Sequence, residues 1–179
     1  EQLLAEFPAG PHTDEAHLRA GQYWLAPGAE PLKAIPHFEA GLGAAPEGVF
    51  AGELTKGLAL ARYDAKDLDG AAQTFIQLIR RWPEVTLNES TYAWVGQYLY
   101  DKQAWPDAAT ALQALLDHVP AYPDRPRVMF KIAECAERAE QLDEALARYD
   151  AIVAADPSGA VAAEARFRQA GIQEKKNNP

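Results

Sequence analysis

The chain has 179 residues, 48% of them hydrophobic, and its 17 Lys and Arg against 26 Asp and Glu leave a net charge of −9. That apolar content supports a buried core and excludes wholesale disorder, while the negative balance argues against nucleic acid as a main partner, because a phosphate backbone would be repelled over most of the surface. No stretch reaches the roughly 18 apolar residues that a bilayer crossing needs, so no direct membrane insertion is expected, and the single cysteine, Cys135, leaves no internal disulfide.

Taken in chain order, residues 1–10 contain Gln2-Leu3-Leu4-Ala5-Glu6-Phe7-Pro8, which is similar to Gln77-Leu78-Ile79-Arg80-Arg81-Trp82-Pro83. We expect the tail of a helix whose partner is missing, and hence a piece of a longer protein cut inside a repeat array. Residues 11–46 are expected to form a first, irregular helix pair. Pro27-Gly28 shortens its first helix, and Pro36 lies inside or near the start of its second. In 47–83, a helix over 48–66 carries Leu58 and Ala59, and a second opens at Leu68 with Asp67 as its cap. In 84–120, the first helix spans 86–103, opens on the capping-box pattern Thr86-x-x-Glu89 and carries Tyr92, Val95, Gly96 and Leu99 on one stripe. Its second helix has Pro106 in the first turn. In 121–157, a helix over 124–140 places Met129, Ile132, Ala133 and Ala136 likewise. Residues 158–179 give one further helix, opened by Ser158 and polar enough to cap the last pair, and a polar tail at Lys175 and Lys176.

The units recur at a constant interval. Prolines stand at 46, 83, 120 and 157, each 37 residues after the last. Twelve residues before each is an alanine (Ala34, Ala71, Ala108, Ala145), and eight before each is a large apolar residue (Phe38, Phe75, Leu112, Tyr149). Between these landmarks apolar residues recur at three- and four-residue steps, the helical period, and each proline ends the helix it follows.

These columns resemble the tetratricopeptide repeat: a small residue midway along helix A (Ala59, Gly96, Ala133), an alanine early in helix B, an aromatic four residues later, and a proline after helix B. Leu112 replaces the aromatic in the third unit, Gln22 replaces the small residue in the first, and the interval exceeds the family's usual 34 residues. The resemblance implies an all-α fold, a right-handed superhelix or α-solenoid of antiparallel helix pairs, with about four repeats and a terminal helix. It is specific for fold and weak for function. The segments Tyr92-Ala93-Trp94-Val95-Gly96 and Tyr122-Pro123-Asp124-Arg125-Pro126 are similar to those of bacterial cell-envelope members, of the Tol–Pal-associated or β-barrel-assembly type, which implies a periplasmic setting.

No sequence motif carries catalytic chemistry. Gly-rich phosphate loops, GxSxG, HExxH and CxxC are all missing, so no enzyme activity, cofactor or metal is expected. His12 and His17 are five apart and do not share a helical face; His17 and Asp14 could, and solvated surface is the expected state for both. Cys135 sits among small and apolar residues and reads as a buried, inert thiol. Glu134, Glu137, Glu140, Asp143 and Glu144, near Arg138 and Arg148, read as a charged solvent face.

Binding is expected on the inner wall formed by the A helices. The family's ligand-contact column, carried over by position, selects Arg19 and Tyr23, then Lys56 and Tyr63, then Gln97 and Tyr100, then Arg127, Phe130 and Glu134. Such a wall mixes basic and aromatic groups within an acidic protein, which suits a partner segment carrying apolar and acidic residues. Tyr23 and Leu60 stand where a carboxylate clamp would place asparagine, so that mode is not expected. Three uses are open: a scaffold for a protein or peptide partner, a regulatory or substrate-recruiting module of a larger enzyme, and self-association through unpaired terminal helices.

Overall fold

The computed structural model describes residues 12–177; the helix remnant expected over 1–10 lies outside the described residues. The chain is all-α, with nine helices and no strand among the described residues. It divides into two compact units, the first running to Thr86 and the second starting at Leu87.

The first unit holds α1 (Thr13–Trp24), α2 (Pro31–Ala44), α3 (Ala51–Asp64) and α4 (Leu68–Arg81), each packed on the next, with α1 also touching α3. Phe38 on α2 is the centre of this packing and has no exposed surface. Its ring is admitted by glycines on both neighbours: a Cβ at Gly21 of α1 would fall 2.5 Å from the ring, and one at Gly57 of α3 would fall 2.4 Å from it. The small residue of the first pair is therefore Gly21, one position before Gln22, which is exposed. Pro36 lies inside α2 and removes one backbone donor there.

The second unit holds α5 (Glu89–Asp101), α6 (Trp105–His118), α7 (Arg125–Arg138), α8 (Leu142–Ala155) and α9 (Ala160–Asn177). Again each helix packs on the next, and α9 also reaches back to α7. Gly96 of α5 does for Leu112 of α6 what Gly21 does for Phe38, since its Cβ would lie 2.5 Å from Leu112. Tyr149 of α8, fully buried, packs against Phe130 of α7 with ring centroids 5.3 Å apart.

The turns inside the pairs share one backbone device. Lys66, Gln103 and Glu140 adopt positive φ of 67°, 61° and 60°, again 37 residues apart, and each follows the end of a helix. The amide after each bonds back five residues, Asp67 to Arg62, Ala104 to Leu99 and Gln141 to Ala136, which satisfies carbonyls that the helix end would otherwise leave open. The first pair departs from this device: its positive-φ residue, Gly28 at 84°, stands four residues beyond Trp24, and the amide after it, Ala29, bonds back only to Ala26.

Helix starts follow the sequence reading in part. Asp67 caps α4 by accepting from the Gly70 amide at 3.0 Å, and Pro106 lies in the first turn of α6. Thr86, however, does not cap α5. Asn88 does, accepting from the Thr91 amide at 2.7 Å, because it stands directly before the first helical residue. Ser158 does not open α9 either; it lies in the preceding turn, bonded to Asp156, and the helix starts at Ala160.

Candidate functional site

In the first unit, Arg19 and Tyr23 are exposed on α1. Arg19 pairs with Glu15 at 3.5 Å with most of its side chain in solvent, and Tyr23 is 70% exposed, with its ring edge-on to Trp24. Lys56 and Tyr63 are half-buried on α3, the first 3.9 Å from Glu53 and the second under the ammonium of Lys66. Exposed ion pairs of this kind contribute at most about 1 kcal/mol, so these groups are energetically cheap to redirect to a ligand.

The second unit gathers the expected residues more tightly. Gln97 of α5 is exposed and accepts a hydrogen bond from Lys131 of α7. Tyr100 donates to Glu134 at 3.2 Å, and its ring lies beneath Lys131 at 5.0 Å and edge-on to Trp105. Burial, reinforced by the Glu134 carboxylate, pushes the Tyr100 hydroxyl up to about 12, so it stays a hydrogen-bond donor across the physiological range.

One expectation is corrected here. Phe130 does not line a surface: it is 5% exposed and belongs to the core with Ala145 and Tyr149. Its place in the contact column coincides with the side of α7 that faces α8. Glu134 is engaged within the chain. It is held by Arg168 of α9 at 2.6 Å as well as by Tyr100, and its side chain is only 13% exposed. Of the acidic cluster beyond it, Glu140, Asp143 and Glu144 form the expected charged solvent face, Glu144 paired with Arg148, while Glu137 is drawn into contacts between helices. Arg168 also meets Glu137, Tyr149 donates to Glu137 at 2.8 Å, and Lys175 and Lys176 reach Glu140 and Asp143.

A cavity of about 240 Å³ opens between α5, the end of α6 and α7. Ala93, Leu112, Leu115 and Val128 form its apolar part; Gln97, Tyr122, Arg127 and Lys131, with one carboxylate, Asp124, give it a polar rim. Arg127 is exposed and also reaches Glu164 of α9 at 2.6 Å. Lys131 was missed by the contact column, although its spacing carried the signal. It stands four residues after Arg127 on the same helix, so both cations face the same side.

The remaining reactive groups are quiet. Burial raises the Cys135 thiol to about 11, and the side chain is 1% exposed, consistent with an inert thiol. Among the described residues no three of His, Cys, Asp and Glu are arranged to hold a metal ion. His17 is not simply solvated. Its Nδ1 lies 3.4 Å from Nδ1 of His37 across the first helix pair, and burial with that neighbour lowers its pKa. The twenty residues separating the two hid this contact from helical spacing. Among the described residues, no helix is long and apolar enough to cross a membrane.

Two family models, both described as tetratricopeptide repeat, match residues 57–84 and 96–160, together just over half of the chain. No curated protein is similar enough in sequence to count as a relative. Among solved structures, YrrB, described as a TPR protein with an unusual peptide-binding site, is 17% identical with a TM-score of 0.49, over 99% of this chain and 85% of its own. MamA from Desulfovibrio magneticus RS-1 is 16% identical with a TM-score of 0.48, over 95% and 88%. PilF of Pseudomonas aeruginosa is 14% identical with a TM-score of 0.44, over 93% and 70%. The repeated helix pairs and the two sequence matches lead to one assignment: the chain belongs to the tetratricopeptide-repeat family.

Proposed function

We propose that this chain is a protein-interaction scaffold, without catalysis or cofactor of its own, and that the surface of α5 and α7 receives a segment of a partner protein. The observation that carries this reading is the cavity lined by Leu112, Leu115, Val128, Gln97, Arg127 and Lys131. At about 240 Å³ it is smaller than the ~300–1,000 Å³ of small-molecule sites, so an apolar side chain of a peptide suits it better than a metabolite. At its edge Arg127 and Lys131 outnumber the one carboxylate, Asp124, and Arg127 is shared with Glu164, so Lys131 is the cation that most favours a carboxylate beside that side chain. Tyr100, Gln97 and Arg127 contribute to the partner surface in this reading; Arg19, Tyr23, Lys56 and Tyr63 offer a second one on the first unit.

The test is fluorescence anisotropy with labelled extended peptides in which one leucine or phenylalanine is flanked by glutamates, against scrambled basic peptides. Lys131→Glu should weaken binding of the acidic peptides about tenfold or more, since it removes an attraction and adds a repulsion. Equal binding of acidic and basic peptides, or an unaffected Lys131→Glu variant, would rule the reading out. The same surface would serve a recruiting module of a larger enzyme. A bacterial cell-envelope setting is supported by the Tyr92–Gly96 and Tyr122–Pro126 segments alone.

A further inference from the structure

The helix α9 occupies the place of one more helix A. Its contacts to α7 repeat those that α7 makes to α5 at nearly the same interval. Arg168 to Glu134 and Tyr100 to Glu134 both span 34 residues, and Arg127 to Glu164 spans 37. Carrying the 37-residue interval forward places Phe167 at the position of Phe130, and Ala170 at that of Ala133. On α7 those two residues, 5% and 0% exposed, are covered by Ala145 and Tyr149 of α8. On α9 no helix of the described residues covers them: Phe167 is 78% exposed, and Ala163 and Ala170 beside it are exposed as well. At 100° per residue, Ala163, Phe167 and Ala170 lie on one stripe, opposite the buried Ala162, Ala165 and Ile172.

Elsewhere in this chain helices meet by laying a large side chain on a small one, Phe38 on Gly21 and Gly57, and Leu112 on Gly96. The α9 stripe carries both halves of that contact, which makes it self-complementary under a twofold axis. We propose that α9 pairs antiparallel with α9 of a second copy of this chain, each Phe167 seated on Ala170 of the other. The register brings Arg166, which also donates to the Pro157 carbonyl at 2.9 Å, within a helical turn of Glu174 of the second copy, twice by symmetry. A single helix face lies at the small end of specific interfaces, so the dimer is weak and concentration-dependent.

The experiment is sedimentation equilibrium on the intact chain from about 10 µM to about 1 mM, a range that spans weak association. The expected result is a mass rising from one chain toward two. Phe167→Ser and Ala170→Glu should each hold the mass at one chain, with unchanged far-ultraviolet circular dichroism and unchanged binding of the acidic peptides by the α5–α7 surface. A mass of one chain throughout overturns the proposal. So does a Phe167→Ser variant that dimerises like the parent, which would place the contact elsewhere. Loss of helicity in both variants also overturns it, because the stripe would then be serving the fold of its own chain.

Discussion

Tyr149 separates the two forces that hold the second unit together. Its ring is fully buried against Phe130, and its hydroxyl donates to Glu137 at 2.8 Å. Truncation to alanine removes the largest side chain of that cluster and leaves a hole the neighbours fill only in part, a loss of about 3–5 kcal/mol for buried aromatics. Tyr149→Phe keeps the ring and deletes one hydrogen bond. Glu137 retains Arg168 at 3.4 Å and its side chain is 23% exposed, so water can replace the lost donor; the cost should be about 1–2 kcal/mol. Packing therefore outweighs the hydrogen bond by roughly threefold. Urea titrations followed by far-ultraviolet circular dichroism on the intact chain measure both changes from the midpoint at constant slope. Were Tyr149→Phe as costly as Tyr149→Ala, the polar contact and not the apolar column would be holding the helix pair, and the packing argument would fail.

Other outcomes follow from the same contacts. Gly57→Ala should destabilise the first unit by about 1–3 kcal/mol through overpacking against Phe38, despite alanine's better helix propensity, because the ring is also confined by Gly21; thermal melts would show the sign. Gln103→Gly should stabilise the second unit by up to about 1 kcal/mol, since it relieves a left-handed residue at an exposed turn; a destabilised variant would mean the Gln103 side chain matters more than its backbone. Burial raises the pKa of Tyr92, Tyr100 and Tyr149 in the folded state. Above the ordinary value of 10.0 the unfolded chain loses tyrosine protons that the folded chain keeps, and Cys135 adds the same effect from 9.0 upward, so stability should fall as pH rises from about 9 toward 12; denaturant midpoints between pH 8 and 11 check this, with Cys135→Ala removing the earlier part. His17 works in the other direction. Its lowered pKa means the unfolded state takes up a proton first, so the first unit should weaken as pH falls through about 6.5, and His37→Gln should blunt that dependence.

Repeated columns at one interval made the fold class legible in the sequence. A residue whose burial recurs every 37 positions needs no knowledge of its distant neighbours, since each pair meets the same local surroundings. The alanine and aromatic columns were legible for that reason, while the cap at Asp67 and the burial of Cys135 were legible from the local chemistry of their own helices. What the tertiary structure alone decided lies where that regularity breaks or where a contact crosses between helices. Gly21 replaces Gln22 because it is Gly21 that faces the Phe38 ring once the first pair is packed. Asn88 takes the cap from Thr86 because helix entry depends on the chain's path out of the preceding turn. Phe130 is core and not surface because α8 covers that side of α7, and its counterpart Phe167 is surface because no helix of the described chain does. Lys131 meets Tyr100 and Gln97, Arg168 meets Glu134, and His17 meets His37 only once the helices are packed. Helical spacing fixes which side chains share a face; which face meets which is a property of the assembled core.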